Sequence, residues 1–507
     1  MNHPPDHRPE PITVLDLFAG CGGLTEGFHQ FRPHGAEDRP VFRSVGAVEW
    51  EPSAAASYEM NFGARSSRRG HSIEPPVVHC GDIVGWTPSW EPGTVDVVVG
   101  GPPCQGFSAL NRKKVNAERN QLWQEFIRVV EALQPKVFVI ENVDRFIRSP
   151  EFSDLQRRVQ DGDLMNYALV DPPGPSEGPS HIRARGYLLN AADYGSPQAR
   201  RRAIVVGVRT NDGPESRHFR YPRPTHRRDV SIDCDDVQGQ PEAMPALEPW
   251  VAADAVFKET RLSTPTAVDL PPRPRIHGEV GGPYLTTDLH ITRNPEPVSL
   301  ARYRAIPPGG NRKDLRGRYL CSYDEGLTVL IKKVDEFRDG HNALVVEGDY
   351  LVLDGEFEGS RVSVKLREVE GPKRGAASGR HRAESFAVRI EGIGISFDAR
   401  LDYLSTASWD AHDAGSGDVM GRVRIGAPSV TIRTEFFKPE KGRYLHPTDD
   451  RPITHYEAAK LQGFPDDFRW CGSKTDIARQ IGNAVPIPLG RSIASSIYEY
   501  LRGPGQS

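Results

Sequence analysis

Between residues 12 and 210, short apolar runs alternate with stretches spaced like helices. No other feature constrains the fold as much. Residues 12–18 end in a glycine cluster, 45–49 end in an acid, and 95–99 (VDVVV) run into Gly100 and Gly101. Residues 136–140 (KVFVI) and 203–208 (AIVVGV) follow, and residues 121–133 between two of these runs have helical spacing. Strands alternating with helices predict a doubly wound α/β fold with a parallel sheet covered on both faces. Residues 171–180 (DPPGPSEGPS) interrupt the pattern as a loop.

The remaining chain changes character twice. Residues 211–320 are dense in proline and arginine (YPRPTHRR, LPPRPRIHG), and apolar periodicity weakens, which reads as a loop-rich region. Residues 322–417 alternate apolar and polar (TVLIKKV, ALVVEGDYLVLDG, SFAVRIEGIGISF) and read as antiparallel strands. Among them lies a basic loop carrying Lys373, Arg374, Arg380 and Arg382. Helical spacing returns from residue 451, and again after Pro486.

Composition excludes several classes. The chain has 507 residues, enough to bury a sizeable core, and six cysteines, none in a CxxC pair. A disulfide scaffold and the usual zinc patterns are thereby excluded, and no metal site is expected. No window approaches the ~20 consecutive apolar residues of a membrane span, and residues 1–10 lack the apolar centre of a signal peptide. A soluble, intracellular protein is expected. The 64 basic and 68 acidic residues leave a charge of −4, which neither predicts nor excludes a nucleic-acid partner.

Four motifs carry candidate chemistry. Asp16 to Leu24 (DLFAGCGGL) follows the first strand and opens a helix; Gly20, Gly22 and Gly23 allow a tight turn and close approach of backbone to a ligand. Glu49 and Trp50 end the second strand, where a carboxylate can accept ribose hydroxyls. Asp82 and Ile83 follow a third short strand. Together they predict a nucleoside cofactor, with Asp82 bonded to the adenine amino group and Phe18, Trp50 and Ile83 on its faces. Second, Gly100 to Ser108 (GGPPCQGFS) follows VDVVV and puts Cys104 at the C-terminal end of a parallel strand, where such sheets bind ligands. Third, Glu141-Asn142-Val143 ends KVFVI at the same rim, so a nucleophile and a carboxyl group could work on one ring. Fourth, Gln198 to Arg202 (QARRR) precedes AIVVGV; alternation sends Arg200 and Arg202 to one side, suited to a carbonyl or phosphate.

These blocks, with RPITHYEAAKLQGFP from Arg451 and QIGNAVP from Gln480, stand in an order and spacing that resembles the cytosine-5 DNA methyltransferases. The resemblance covers residues 12–210 and 419–500, with a looser match over 293–317. It implies S-adenosylmethionine as methyl donor. The expected cofactor contacts are then Phe18, Gly20, Gly22, Gly23, Leu24, Glu49, Trp50, Asp82, Ile83, Pro102 and Leu122, completed by Asn483 and Val485 from the C-terminus. It implies that Cys104 adds to C6 of a flipped-out cytosine. Glu141 would hold N3 and the exocyclic amine, and Arg202 with Arg200 the O2 and a neighbouring phosphate. The chain departs from the family at Ser108 to Arg112, which lack a usual glycine, and at Glu118-Arg119-Asn120.

The implied organisation is a catalytic domain over 12–210 completed by 446–507. A target-recognition domain over 211–445 would carry the β-rich insert 322–417. Expected partners are duplex DNA and a cognate restriction endonuclease; a monomer in the bacterial cytoplasm, away from membranes, is expected. An RNA cytosine-5 methyltransferase and a catalytically silent DNA-binding paralogue are the alternatives. The long region 211–445 favours duplex DNA over the compact tRNA-modifying branch, and the presence of Cys104, Glu141, Arg200 and Arg202 argues against decay.

Overall fold

The computed structural model describes residues 10–503 apart from 34–39, 64–73, 104–121, 174–183, 211–217, 229–245, 261–264, 266, 277, 317, 324–327, 332–342, 345–351, 354–362, 366–384, 393–394 and 412–417. Cys104, the segment 108–120 and the basic loop at Lys373 to Arg382 lie outside the described residues.

The first half of the chain builds an eight-stranded sheet from β1 (Ile12–Leu17), β2 (Phe42–Glu49), β3 (Val77–Cys80), β4 (Val97–Gly100), β5 (Val137–Asn142), β6 (Tyr167–Leu169), β7 (Leu188–Asn190) and β8 (Arg201–Arg209). The order is β3-β2-β1-β4-β5-β8-β6, with β7 also paired to β8. Strands β1 to β5 are parallel, as their alternation with helices predicts. Strand β8 runs antiparallel to β5, and β6 and β7 pair antiparallel with β8, so the sheet is mixed rather than wholly parallel. Between β7 and β8 the chain passes through the helical turn Ala191–Tyr194 and residues 195–200, and an antiparallel pair needs no crossover helix.

Val97–Gly100 is wholly buried, because parallel strands lie between layers of helix and read as continuous apolar runs. Helix α1 (Gly23–Gln30) follows β1, α2 (Pro52–Tyr58) follows β2, α3 (Leu122–Leu133) precedes β5, and α4 (Pro150–Asp161) follows it. The order reverses between β1 and β4, and the carboxyl ends at such a switch point form a ligand crevice.

The Pro/Arg-dense region contains two short helices, α5 (Asp254–Thr260) and α6 (Pro297–Ala305). A second, antiparallel sheet joins β9 (Tyr319–Tyr323), β10 (Thr328–Ile331), β11 (Ala343–Leu344), β12 (Val352–Leu353), β13 (Ser363–Lys365), β14 (Ser385–Gly392) and β15 (Ile395–Tyr403), in the order β11-β13-β14-β15-β9-β10-β12. It begins at Tyr319, a little before the patterning suggests. Its base is anchored where Leu320 and Leu404 share a small core with Tyr303, Met420 and Leu445.

The C-terminal segment returns to the first sheet through α7 (His455–Leu461), α8 (Lys474–Asn483) and α9 (Ile487–Arg502). Thr454 and Glu457 cap α7 reciprocally, and Arg451 clamps the Glu457 carboxylate at 2.9 and 2.8 Å. Leu489, Ile493 and Ile497 of α9 join the core of the sheet. Helices α1 and α9 cross at glycine: a Cβ on Gly27 would lie 2.7 Å from the carbonyl carbon of Gly490. Gly27→Leu should therefore lower stability by about 1–3 kcal/mol through overpacking. Chemical denaturation reads this directly, and an unchanged midpoint would show that the crossing has room to spare.

Candidate functional site

Turn by turn, the carboxyl ends of the parallel strands gather the motif residues. At the end of β1 the chain takes left-handed backbone at Phe18 (φ 56°), Gly20 (φ 56°) and Gly22 (φ 87°). Nothing lies within 4 Å of where a Cβ on Gly20 would stand, so the turn opens onto free space. Glu49, at the end of β2, is buried and ties this turn down. Its Oε2 accepts the Gly20 N–H at 2.8 Å and its Oε1 accepts the Glu51 N–H at 2.9 Å. Burial raises the Glu49 carboxyl, and these backbone donors pull it back. Trp50 beside it is 72% exposed, a large apolar surface left bare at the rim. Ile83 is buried, while Asp82 is exposed and accepts the Val84 N–H at 3.0 Å.

The C-terminal segment closes one side of this crevice. A Cβ on Gly23 would stand 2.9 Å from the Ala484 Cβ and 3.1 Å from the Val485 carbonyl oxygen, so only glycine lets α1 start against residues 484–485. Leu24 and Val485 are buried there, and Asn483 is exposed. Pro102 is buried, and Leu122 packs half-buried against the core at the start of α3. The open turn, the buried carboxylate and the bare indole suit a nucleoside with an adenine ring.

Beneath the turn runs a buried chain of hydroxyls. Thr25 donates to Asp16 Oδ2 at 2.6 Å, Thr25 and Tyr58 share a bond of 3.2 Å, and Tyr58 and Ser44 one of 2.6 Å. Burial pushes the Asp16 carboxyl up to about 7, offset in part by the Thr25 bond and reinforced by the charge of Glu49.

The neighbouring strand ends hold the second half of the site. Arg202, at the start of β8, meets Glu141, at the end of β5, with Nε to Oε1 at 2.8 Å and both side chains largely buried. The antiparallel register of β5 and β8, with Glu141 opposite Ile204, brings the two side chains to one rim. The other carboxylate oxygen lies over the backbone of Gly101: a Cβ there would be 2.8 Å from Glu141 Oε2. Asn142 donates through Nδ2 to the Pro102 carbonyl at 2.9 Å and thus holds the segment leading to Cys104. Sequence reasoning named Glu141 but gave neither Asn142 nor Gly101 a role. The signal was available in an amide following the acid and in a paired glycine.

Arg200 corrects an expectation. Its side chain does not share the rim with Arg202; it is fully buried behind it. Nη1 donates to the Ile432 carbonyl at 2.9 Å, and Nη2 to those of Gly482 and Asn483 at 3.0 and 3.4 Å. Burial pulls its guanidinium down to about 9. Regular alternation fails because Arg200 precedes the strand, which begins at Arg201.

A doubly wound sheet with this glycine turn, and with a carboxylate and an arginine paired at its rim, is the fold of a methyltransferase. A family profile, C-5 cytosine-specific DNA methylase, matches residues 12–256 and 380–499. The chain belongs to that family and is a DNA (cytosine-5-)-methyltransferase. It is 27% identical over 498 residues to the type II methyltransferase M.AgeI of Thalassovita gelatinovora, covering 96% of this chain and 99% of that one. It is 27% identical to M.XorII of Xanthomonas oryzae pv. oryzae, over 96% and 85% of the two chains. It is also 25% identical to DNA (cytosine-5)-methyltransferase 1 of Rattus norvegicus, spanning 96% of this chain but 28% of that protein. The matched region extends beyond the motifs at both of its inner ends and takes in β14 and β15.

Two outcomes test the site. Gly101→Ala should displace the Glu141 carboxylate and lower kcat about 10²-fold, the cost of roughly 1 Å of misplacement, with little change in melting temperature; full activity would dismiss the contact. Asp16 ionises in the unfolded chain near 3.8 but near 7 when folded, so the folded state binds the extra proton. Its contribution to stability is full at low pH and is lost as pH rises through 7. Relative to Asp16→Asn, the wild type should lose about 3 kcal/mol between pH 5 and 8. Parallel stability profiles for the two proteins would contradict this.

Proposed function

We propose that this chain methylates C5 of a flipped-out cytosine in a specific sequence of duplex DNA, with S-adenosylmethionine as donor. The observation that carries the reading is the Arg202–Glu141 pair at 2.8 Å, beside the Pro102 carbonyl that Asn142 holds. That pair presents a fixed acceptor and a fixed cation to one planar ring, and Pro102 precedes the cysteine by two residues. Phe18, Trp50, Glu49, Asp82, Ile83 and Val485, with the Gly20-to-Leu24 turn, Pro102, Leu122 and Asn483, would hold the cofactor. When bound, it supplies an electrophilic methyl group on a sulfonium centre.

The chain's own groups do the rest. The Cys104 thiolate bonds to C6 and makes C5 nucleophilic. Glu141 holds N3 and the exocyclic amine, and Arg202 holds O2, which stabilises the charge that develops on the ring. After methylation a base takes the proton from C5, the C6–S bond breaks, and the thiolate is restored. Region 211–445, with the antiparallel sheet, is proposed to read the DNA. Among the described residues no helix is long and apolar enough to cross a membrane. We propose a monomer acting on DNA in the bacterial cytoplasm, with a restriction endonuclease of the same specificity as its partner.

Cys104→Ser should abolish methyl transfer and leave cofactor binding intact, because a hydroxyl lacks the accessible anion of a thiol. On duplex DNA containing 5-fluorocytosine the wild type should form a denaturation-resistant adduct mapping to Cys104. An adduct at another cysteine, or methyl transfer to tRNA and not to DNA, would overturn the assignment. Separately, Asp82→Ala should weaken S-adenosylmethionine binding by about 1–3 kcal/mol; calorimetry giving the wild-type affinity would remove Asp82 from the pocket.

A further inference from the structure

Beside the catalytic rim, on the side away from the cofactor crevice, lies a cavity of about 570 Å³. It is lined by Arg148, Arg185 and Arg201, with Asp144, Asn190, Asp193 and Trp250 among its other walls. Two covalent links tie it to the rim: Asp144 lies three residues past Glu141, and Arg201 directly precedes Arg202. We propose that this cavity binds the phosphodiester backbone of DNA next to the target cytosine, with Arg148, Arg185 and Arg201 as its cationic contacts. The proposal rests on the DNA-methylation reading above.

Four observations support it. Arg148, Arg185 and Arg201 are exposed, and among the described residues their guanidinium groups form no hydrogen bond or ion pair. Arginines without a hydrogen-bonded carboxylate, converging on one cavity from three chain segments, are suited to an external anion. The acids only partly offset them: Asp193, which accepts the Trp250 Nε1–H at 2.8 Å, also interacts with the charge of Arg201, and three cations stand against two acids. The supports of the arginines are rigid. Arg148 ends the turn Phe146–Arg148 and Arg185 lies in Ala184–Tyr187; Phe152 packs edge-on against both Phe146 (5.7 Å) and Tyr187 (5.3 Å). Arg201 is held in β8, where it pairs with Asn190 of β7. Asn190 accepts the Ala192 N–H, so its amide donors remain for a ligand. Finally, a cytosine held by Glu141 and Arg202 remains attached to its strand. Its flanking phosphates therefore lie close to the rim, where Arg201 adjoins Arg202.

The test uses the full chain and the salt dependence of duplex DNA binding. Arg148→Gln/Arg185→Gln should make the slope of log affinity against log salt shallower by about 1.8, at ~0.9 per lost phosphate contact. It should raise KM for DNA about tenfold at unchanged kcat and unchanged affinity for S-adenosylmethionine. Arg148→Lys/Arg185→Lys, which keeps both charges, should restore most of the slope. Lys136→Gln, at the opposite end of β5, should leave it unaltered. A Gln/Gln variant with the wild-type slope and KM would overturn the pocket, as would a slope lost equally in the Lys/Lys variant. The binding measurement does not depend on methyl transfer: a wild type that binds DNA but methylates none would sink the methylation reading while leaving the pocket to stand or fall on its slope.

Discussion

One buried cation organises the site. The guanidinium of Arg200 is removed from water and bonded to the carbonyls of Ile432, Gly482 and Asn483, which lie 232, 282 and 283 residues further along the chain. A charge buried in this way would be costly without such dipoles around it. Binding them joins the start of β8, the loop at residue 432 and the end of α8 into one body. Arg202, two residues along, is then presented to Glu141 at a fixed position, while Asn483 and Val485 are fixed at the glycine turn. Both halves of the site share this anchor.

Buried amides extend the same junction. Gln198 donates to Gln462 Oε1 at 2.8 Å and accepts the Ile432 N–H at 2.8 Å, and Gln462 donates to the Ile481 carbonyl at 2.6 Å. Gln480 accepts from Ser57 at 2.7 Å and donates to the Cys471 carbonyl at 2.8 Å. Each glutamine offers a donor and an acceptor on one rigid group, so it can bridge two backbone segments that no ladder connects. The catalytic domain is thus discontinuous in sequence but continuous in hydrogen bonding. The QARRR and LQGFP blocks owe several of their polar residues to this architecture rather than to the reacting ring.

The antiparallel sheet stands apart from this junction. It meets the remainder of the chain through the cluster of Tyr303, Leu320, Leu404, Met420 and Leu445. The family match runs through its last two strands, β14 and β15, and omits residues 257–379. The sheet is attached through this small apolar base.

Much of this was legible in the chain itself. Apolar runs ending in glycine, acid or Pro-Pro placed β1 to β5 and the glycine turn, because a strand buried on both faces must be apolar throughout and a tight turn must admit left-handed backbone. The motif order gave the chemistry and the family. The direction of β8 was not legible, since a run such as AIVVGV reads the same in either orientation. Nor was the burial of Arg200, because alternation holds only within a strand and this residue precedes one. Asn142 and Gly101 took on their roles only when β4 and β5 paired, with Gly100 opposite Ile140. Local pattern determines which residues can form a strand, a turn or a helix. Which side chains then meet is decided by contacts between segments hundreds of residues apart, and no local spacing encodes those distances.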